Sequence, residues 1–576
     1  MTRRRLLLGG VLAALLYLSW LARAGPLAVH GPPVEDGFVR MAGAVHVHTT
    51  FSDGGGTPED VARAAKRAGL GFVVVTDHNN LDAKPAEGYR DGILLIVGVE
   101  VSTVAGHVLG LGVPDPAYRF SGDPRDALDD IRDLGGVAFA AHPVSQRRDF
   151  VWTGWGLPGG WGVELFNGDS QWRAADWARL LRGLAIYAVN PTHALLSCLT
   201  PPTETMNHWT GMLAERDAAV IVGADAHQRA ALSKRRAVPL PSYESVFALA
   251  KNHLVLDRPL SGDAAPDARA IVTALARGRS YVGIDALAPA DDFSFVATSG
   301  DRRRTMGDSV PLEEHPTFRV RVRAPKGARA TLIRDRETVA ESEAAAEEGL
   351  TLSHEAAGPG AYRVEVRVAG HDVPWIVSNP IYLFSPVVLA ERAARAIPPP
   401  ETAPPEARQL IDDFRSPTSF GAERDDASAM SSEVIEAGAG PNGAPAARLR
   451  CKLGVPSPSR PSVWCALVSR QPRDLGGRAG LVLSIRGDGV YRIWVQVRDR
   501  NPASANGGTE WWFASIRTSR EWRRVAVPFA SLRSLNPKTD GRVDLDKVAE
   551  LVFVLDQGAV KPGTAGTIWI ADLGAY

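Results

Sequence analysis

Between residues 40 and 285 short apolar runs alternate with polar or amphipathic stretches. The runs are Gly43–His48, Phe72–Thr76, Ile93–Glu100, Val137–Ala141, Gly162–Phe166, Leu184–Val189 and Val220–Gly223. Runs of this length, hydrophobic on both faces, belong to a parallel sheet covered on both sides. Between the first two, Thr57-Pro58-Glu59-Asp60 supplies an N-cap, a first-turn proline and early acids, and Gly69 supplies a stop, so a helix is expected there. Seven such runs predict an α/β barrel over 40–285 in preference to an open doubly wound sheet. After Ala286 the period shortens to two, as in Phe318-Arg319-Val320-Arg321-Val322 and Tyr362-Arg363-Val364-Glu365-Val366, which predicts a small antiparallel β-sandwich over 286–390. A proline-rich linker is expected over 391–408, and strand-rich sequence follows over 409–576.

A chain of 576 residues exceeds one core, and 65 basic residues balance 65 acidic ones. Bulk charge therefore offers nothing to a nucleic acid, and none is expected as a partner. At the N-terminus Arg3-Arg4-Arg5 precedes an apolar run from Leu6 to Ala22, and Ala22-Arg23-Ala24 has the form of a signal-peptidase site. Residues 1–24 are read as a signal peptide cleaved after Ala24 or as an uncleaved membrane anchor; both place the rest outside the cytoplasm, in the periplasm or beyond. Three cysteines exclude a disulfide scaffold and a thiolate metal site, while Cys451 and Cys465 either pair or remain buried thiols.

The chemistry-bearing residues fall at the ends of the predicted strands. In order they are His46 and His48, Asp77-His78, Glu100, His142 and Asp225-Ala226-His227. In β/α barrels the C-terminal rim carries the site. On an extended strand His46 and His48 share one face, and the Ser52-Asp53-Gly54 turn folds a carboxylate back toward them. Imidazole and carboxylate without thiolate suit Zn²⁺, Mn²⁺ or Fe.

Taken together, His46-x-His48, Asp53, Thr76-Asp77-His78-Asn79, Gly98-Val99-Glu100, Gly106-His107, Ala141-His142-Pro143 and Gly223-Ala224-Asp225-Ala226-His227 resemble the polymerase and histidinol phosphatase (PHP) family. The resemblance implies a distorted (βα)7 TIM-like barrel around two to three divalent metals and a phosphoesterase activity. It further implies that His46, His48, Glu100 and Asp225 hold one ion, that Glu100 bridges to a second completed by His107 and His142, and that Asp53, His78 and His227 hold a third. Asp77 is expected to orient a neighbouring imidazole or to cap the turn after it. Three divalent cations bring about +6 against about −3 from the ligand carboxylates, a balance that favours a phosphate ester and a metal-bridging hydroxide as nucleophile. Arg147 and Arg148, after His142-Pro143, are candidates to grip the phosphate. A phosphorylated small molecule or a phosphoglycan is the expected substrate. The competing readings are a non-catalytic barrel that binds an envelope glycan or partner, and a metal-dependent amide or lactone hydrolase.

Ile411-Asp412-Asp413-Phe414, Ser484-Ile485-Arg486-Gly487-Asp488-Gly489, Glu521-Trp522-Arg523 and Trp569-Ile570-Ala571-Asp572 resemble galactose-binding-like jelly rolls, which include carbohydrate-binding modules. The resemblance implies a C-terminal β jelly roll, with Trp511 and Trp512 as a sugar platform or as core.

Overall fold

The computed structural model describes residues 16–576 except 234–235, 346–347, 398–402, 416, 503, 505–507, 535 and 537, and the side chains of 231–233 and 431–436. Most of the N-terminal apolar run therefore lies outside the described residues. No helix among the described residues is long and apolar enough to cross a membrane. Two compact units are formed, one of residues 1–114 and 122–399, the other of 115–121 and 400–576.

The first unit opens with a closed barrel. Its strands are β1 (Val39–Val47), β2 (Phe72–Val75), β3 (Ile93–Val97), β4 (Val99–Thr103), β5 (Gly106–Leu111), β6 (Val137–Ala141), β7 (Gly162–Asn167) and β8 (Val220–Ala226). β1 pairs in parallel with β2 and β8, β2 with β3, and β7 with β6 and β8. β5 runs antiparallel to β4 and to β6. β3 and β4 meet at Gly98, where an added Cβ would lie 2.4 Å from the Gly110 carbonyl oxygen, so they behave as one bent strand and the ring has seven members. Val45, Phe72, Val74, Leu94, Ile96 and Leu109 are among its buried core residues.

The helix expected after β1 spans Pro58–Arg67, with Thr57 and Asp60 forming a capping box and Val61, Ala62, Ala64 and Ala65 buried. One expected strand is corrected. The run from Leu184 to Val189 begins inside a helix, Trp177–Tyr187, whose first turn is capped by the Asp176 side chain accepting from the N–H groups of Ala178 and Arg179. A short apolar run does not separate strand from helix by composition, and here the cap decides. The seventh ring member is instead β5, whose sequence Gly-His-Val-Leu-Gly-Leu is broken by glycine at Gly106 and Gly110.

The sandwich expected over 286–390 is not wholly separate: Phe293–Ser299, Arg302–Thr305, Thr317–Val322 and Leu350–Glu355 form their own antiparallel sheet, whereas Ala328–Arg334 and Gly360–Val368 continue the barrel's sheet through the pairing of Ser280–Gly283 with Ile376–Ser378. Of the expected linker, residues 391–395 belong instead to a helix, Pro386–Arg395, which Ser385 caps; buried Arg392 anchors it through Asp217, 2.8 Å away, and the Leu213 carbonyl. The second unit contains two six-stranded antiparallel sheets. Cys451, on Ala446–Lys452 of one sheet, is disulfide-bonded to Cys465, on Trp464–Ser469 of the other. Trp512 is 6% exposed and belongs to the core; Trp511 is 37% exposed and carries the Arg498 guanidinium 3.8 Å above its ring.

Candidate metal centre

All nine residues singled out as ligands stand at one end of the barrel. His46 does so through a bulge and not through plain strand alternation: its φ is 69°, and the β1–β8 register shifts between Val45 and Val47. Asp225, opposite it, has φ 48°, and His142, at the end of β6, has φ 31°. Left-handed backbone at non-glycine residues costs about 1–3 kcal/mol each and concentrates where a site demands a particular side-chain aim. The bulge turns both imidazoles toward a common point, with His46 Nε2 and His48 Nε2 each 3.1 Å from Glu100 Oε2 and 3.3 Å from Asp225 Oδ1.

The other oxygen of Glu100 serves a second group, lying 2.7 Å from His107 Nδ1 and 2.9 Å from His142 Nε2. A third group forms around Asp53 Oδ1, which lies 3.3 Å from His227 Nε2, 3.7 Å from His48 Nδ1 and 3.8 Å from His78 Nε2. The donor atoms form four overlapping groups, His48–Asp53–His78–His227, His46–Glu100–His142, His46–His48–Asp225 and His78–Glu100–His107, with buried Glu100 shared by two of them.

Burial by itself would raise the Glu100 and Asp225 carboxyls, but the surrounding imidazoles, His46 foremost, hold both well below the usual carboxylate range. Burial likewise opposes charge on His48, yet Asp225 and Glu100 hold it up near 9. Asp53, Glu100 and Asp225 are thus held ionised among the imidazoles, which is the state a carboxylate needs in order to ligate a cation. Among the described residues His46 Nε2, His48 Nε2, His78 Nδ1 and Glu100 Oε2 are buried and make no aligned hydrogen bond, although each of the three nitrogens lies 3.1 Å from Glu100 Oε2. Orphaned polar atoms facing one another at this density are costly unless a further group satisfies them. A nitrogen and oxygen donor set without sulfur fits divalent cations of the Zn²⁺, Mn²⁺ or Fe²⁺ type.

Asp77 does something other than orient an imidazole. Its carboxylate accepts from the Thr49 N–H at 2.8 Å, the Thr49 hydroxyl at 2.7 Å and the Ser52 hydroxyl, holding the turn that delivers Asp53. The imidazole is oriented by Glu164, which the sequence reading missed. Fully buried on β7, Glu164 places Oε1 2.6 Å from His46 Nδ1, while Oε2 accepts from the His142 backbone N–H at 2.7 Å and from Asn167 Nδ2 at 2.9 Å. An Nδ1–H donated to Glu164 leaves the His46 Nε2 lone pair facing Glu100 and Asp225. Gly223 keeps this space open, since a Cβ there would lie 1.9 Å from Glu164 Oε1. The available signal was a lone acid inside the apolar run Gly162–Phe166.

The clusters form the floor of a cavity of about 470 Å³. Arg147 lines it, its guanidinium 4.8 Å from the Phe150 ring centre and 3.8 Å from Asp169. Arg148 does not line it, being exposed at the start of a short 3₁₀ turn. Two further arginines were missed: Arg173, paired with Asp169 and lying over Trp172, and Arg229, near the Asp53 carbonyl. They sit on segments whose sequence carries no motif. Of the tryptophans crowded between residues 152 and 177, Trp152 and Trp161 are core, whereas Trp172 lines the cavity.

A β/α barrel with imidazoles and carboxylates gathered at the C-terminal ends of its strands is a metal-dependent hydrolase scaffold. Residues 44–132 match the family model described as PHP domain, and the chain carries a PHP domain. An uncharacterized protein of Methanocaldococcus jannaschii is 28% identical over 120 residues, covering 18% of this chain and 69% of that protein. The 5'-3' exoribonuclease Rnm of Salmonella typhimurium is 41% identical over 86 residues, covering 13% of this chain and 29% of that enzyme. Among solved structures, a two-domain protein from Bacteroides vulgatus containing a predicted PHP-like metal-dependent phosphoesterase is 15% identical, covers 62% of this chain and 99% of its own, and has a TM-score of 0.29. A family 11 carbohydrate-binding module from Clostridium thermocellum is 19% identical, covers 29% of this chain and 94% of its own, and has a TM-score of 0.24.

Proposed function

We propose that the protein is an exported, metal-dependent phosphoesterase whose site holds two to three divalent ions. The observation that carries this reading is the convergence at the barrel end of three buried imidazole nitrogens, His46 Nε2, His48 Nε2 and His78 Nδ1, each 3.1 Å from buried Glu100 Oε2 yet joined to it by no aligned hydrogen bond. His46, His48, Glu100 and Asp225 would hold one ion, Glu100, His107 and His142 a second, and Asp53, His78 and His227 a third. The chemistry such ions supply when bound is activation of water and neutralisation of charge on the phosphoryl oxygens.

The chain's own residues do the rest. Glu164 fixes the His46 ring, Asp77 fixes the turn bearing Asp53, and Phe150 packs on His107 and His142 with ring centres 4.6 and 5.5 Å away. Around the cavity Arg147 and Arg173 share the one carboxylate of Asp169, and Arg229 donates to the Asp53 carbonyl, so the wall above the metal centre carries more arginine than acid and suits a phosphate ester. That charge favours phosphate over a neutral amide or lactone. A panel of phosphomonoesters, phosphodiesters and lactones, assayed with Zn²⁺, with Mn²⁺ and with chelator, tests the reading. Turnover of phosphate esters that chelator abolishes supports it; turnover of lactones alone, or of nothing, contradicts it.

Export is supported by the basic and apolar N-terminal sequence and by the Cys451–Cys465 bond, which persists in oxidising compartments. For the second unit we infer carbohydrate binding. Trp494 and Phe513, partly buried with ring centres 5.3 Å apart, and partly buried Trp464 on the same sheet offer aromatic edges of the kind that pack on sugar rings. Affinity electrophoresis against polysaccharides, comparing the native chain with Trp464→Ala, tests this; equal mobility in every gel would contradict it.

A further inference from the structure

The helix Trp177–Tyr187 presents an apolar stripe to solvent. Trp177, Leu181 and Leu184, spaced four and three residues apart on one face, are 75%, 59% and 65% exposed, while Gly183 and Ile186 face inward. Exposed Arg179 and Arg182 flank the stripe. Beside it, residues 16–23 form a helix that is fastened to the barrel unit. Leu21 is buried with Ile186 and Ala194, the Asn190 side-chain amide donates to the Leu21 and Ala24 carbonyls at 3.0 and 2.7 Å, and Trp20 meets the His193 ring edge-on at 6.1 Å. Leu16, Tyr17, Leu18 and Trp20 remain exposed on it.

Seven of the eighteen exposed large hydrophobic side chains among the described residues thus fall on two neighbouring helices. A soluble surface scatters such residues singly, and a contiguous group marks a covered face. The sequence identifies the cover. The helix at 16–23 continues an apolar run that starts at Leu6, behind three consecutive arginines at 3–5. A stripe of Trp and Leu flanked by Arg is the composition of a helix lying in a lipid headgroup boundary.

We propose that the N-terminal segment remains attached as an anchor, and that helix Trp177–Tyr187 lies beside it in the surface of a bilayer containing anionic lipid. The clasp by Asn190 ties the two helices into one membrane-facing surface. Trp172 and Arg173, which line the catalytic cavity, are only a few residues before the helix starts, so docking holds that wall close to the interface. This inference does not depend on the phosphoesterase reading.

The test uses the full chain with an environment-sensitive fluorophore on Leu184→Cys. Cys198 is buried and the other two cysteines are bonded, so the label has one accessible thiol. The protein is reconstituted in phosphatidylcholine vesicles with phosphatidylglycerol and with nitroxide-bearing lipid, and a label on exposed Arg329→Cys serves as control. The expected result is a shift of the Leu184 label to shorter wavelength and its quenching by nitroxide, with the control label unchanged. A Leu184 label that stays solvent-exposed on vesicle-bound protein would overturn the proposal. So would failure of the protein to bind vesicles, or shielding of the label before lipid is added in a protein that light scattering shows to be dimeric.

Discussion

Replacing Glu164 by glutamine tests how much of the metal centre is built by a residue that touches no ion. The carboxylate receives three donors: His46 Nδ1 at 2.6 Å, the His142 N–H at 2.7 Å and Asn167 Nδ2 at 2.9 Å. Those donors reach both of its oxygens, and a glutamine has only one acceptor oxygen, so its NH₂ must face either the His46 N–H or the His142 N–H. One buried donor is left unsatisfied if the NH₂ faces His46, and two, His142 N–H and Asn167 Nδ2, if it faces His142, at a cost of about 1–3 kcal/mol each. The His46 ring also loses its fixed tautomer and part of its basicity, which lowers metal affinity by about 10–100-fold. Competition with a calibrated chelator measures the affinity, and denaturant titration of the metal-free chain measures the stability. If both match the native protein, with affinity within about twofold, Glu164 does not organise the centre. Gly223→Ala, whose Cβ would lie 1.9 Å from Glu164 Oε1, is expected to reproduce the defect from the opposite side.

Other outcomes follow from the same geometry. Arg173→Ala removes a charged contact above the centre and is expected to raise KM for a phosphate ester about 10–100-fold with a smaller change in kcat; an unchanged KM would remove Arg173 from the substrate wall. Opening the Cys451–Cys465 bond with a Cys451→Ser/Cys465→Ser pair releases a 14-residue loop and should destabilise the second unit by about 3 kcal/mol in chemical denaturation, without changing metal content. Burial, aided by Glu510, Asp544 and Asp540, pushes the Asp499 carboxyl up to about 6. The folded state therefore binds this proton more tightly than the unfolded one, so its contribution is fully present below the ordinary value of 3.8 and is lost as pH rises from there through about 6. Denaturation of Asp499→Asn should show a weaker fall in stability across that interval than the native chain, and an identical profile would refute the assignment.

The barrel was legible because burial on both faces forces Phe72–Val75 and Ile93–Val97 to be apolar throughout, and because ligands crowd the strand ends. Its antiparallel member was not: β5 is interrupted by glycines that close packing requires, while Leu184–Val189 has a strand's composition but follows a helix cap. All nine clustered residues could be found by type and position. How they converge could not, because the left-handed backbone at His46, His142 and Asp225 depends on bulges between distant strands. Glu164 escaped because its role is expressed only when β7 lies beside β1 and β6. Arg173 and Arg229 escaped because arginine on a loop has no spacing rule, and only the folded cavity separates them from Arg148.

The central claim is that the groups at the barrel end hold divalent ions. The measurement that tests it most directly is metal content by mass spectrometry, joined to anomalous scattering from crystals of the full chain, with Glu100→Gln as comparison. Two to three ions per chain are expected among His46, His48, Asp53, His78, Glu100, His107, His142, Asp225 and His227, with loss of the ions that Glu100 joins in the variant. A chain that carries no ion, and takes up neither Zn²⁺ nor Mn²⁺ on soaking, would contradict the account.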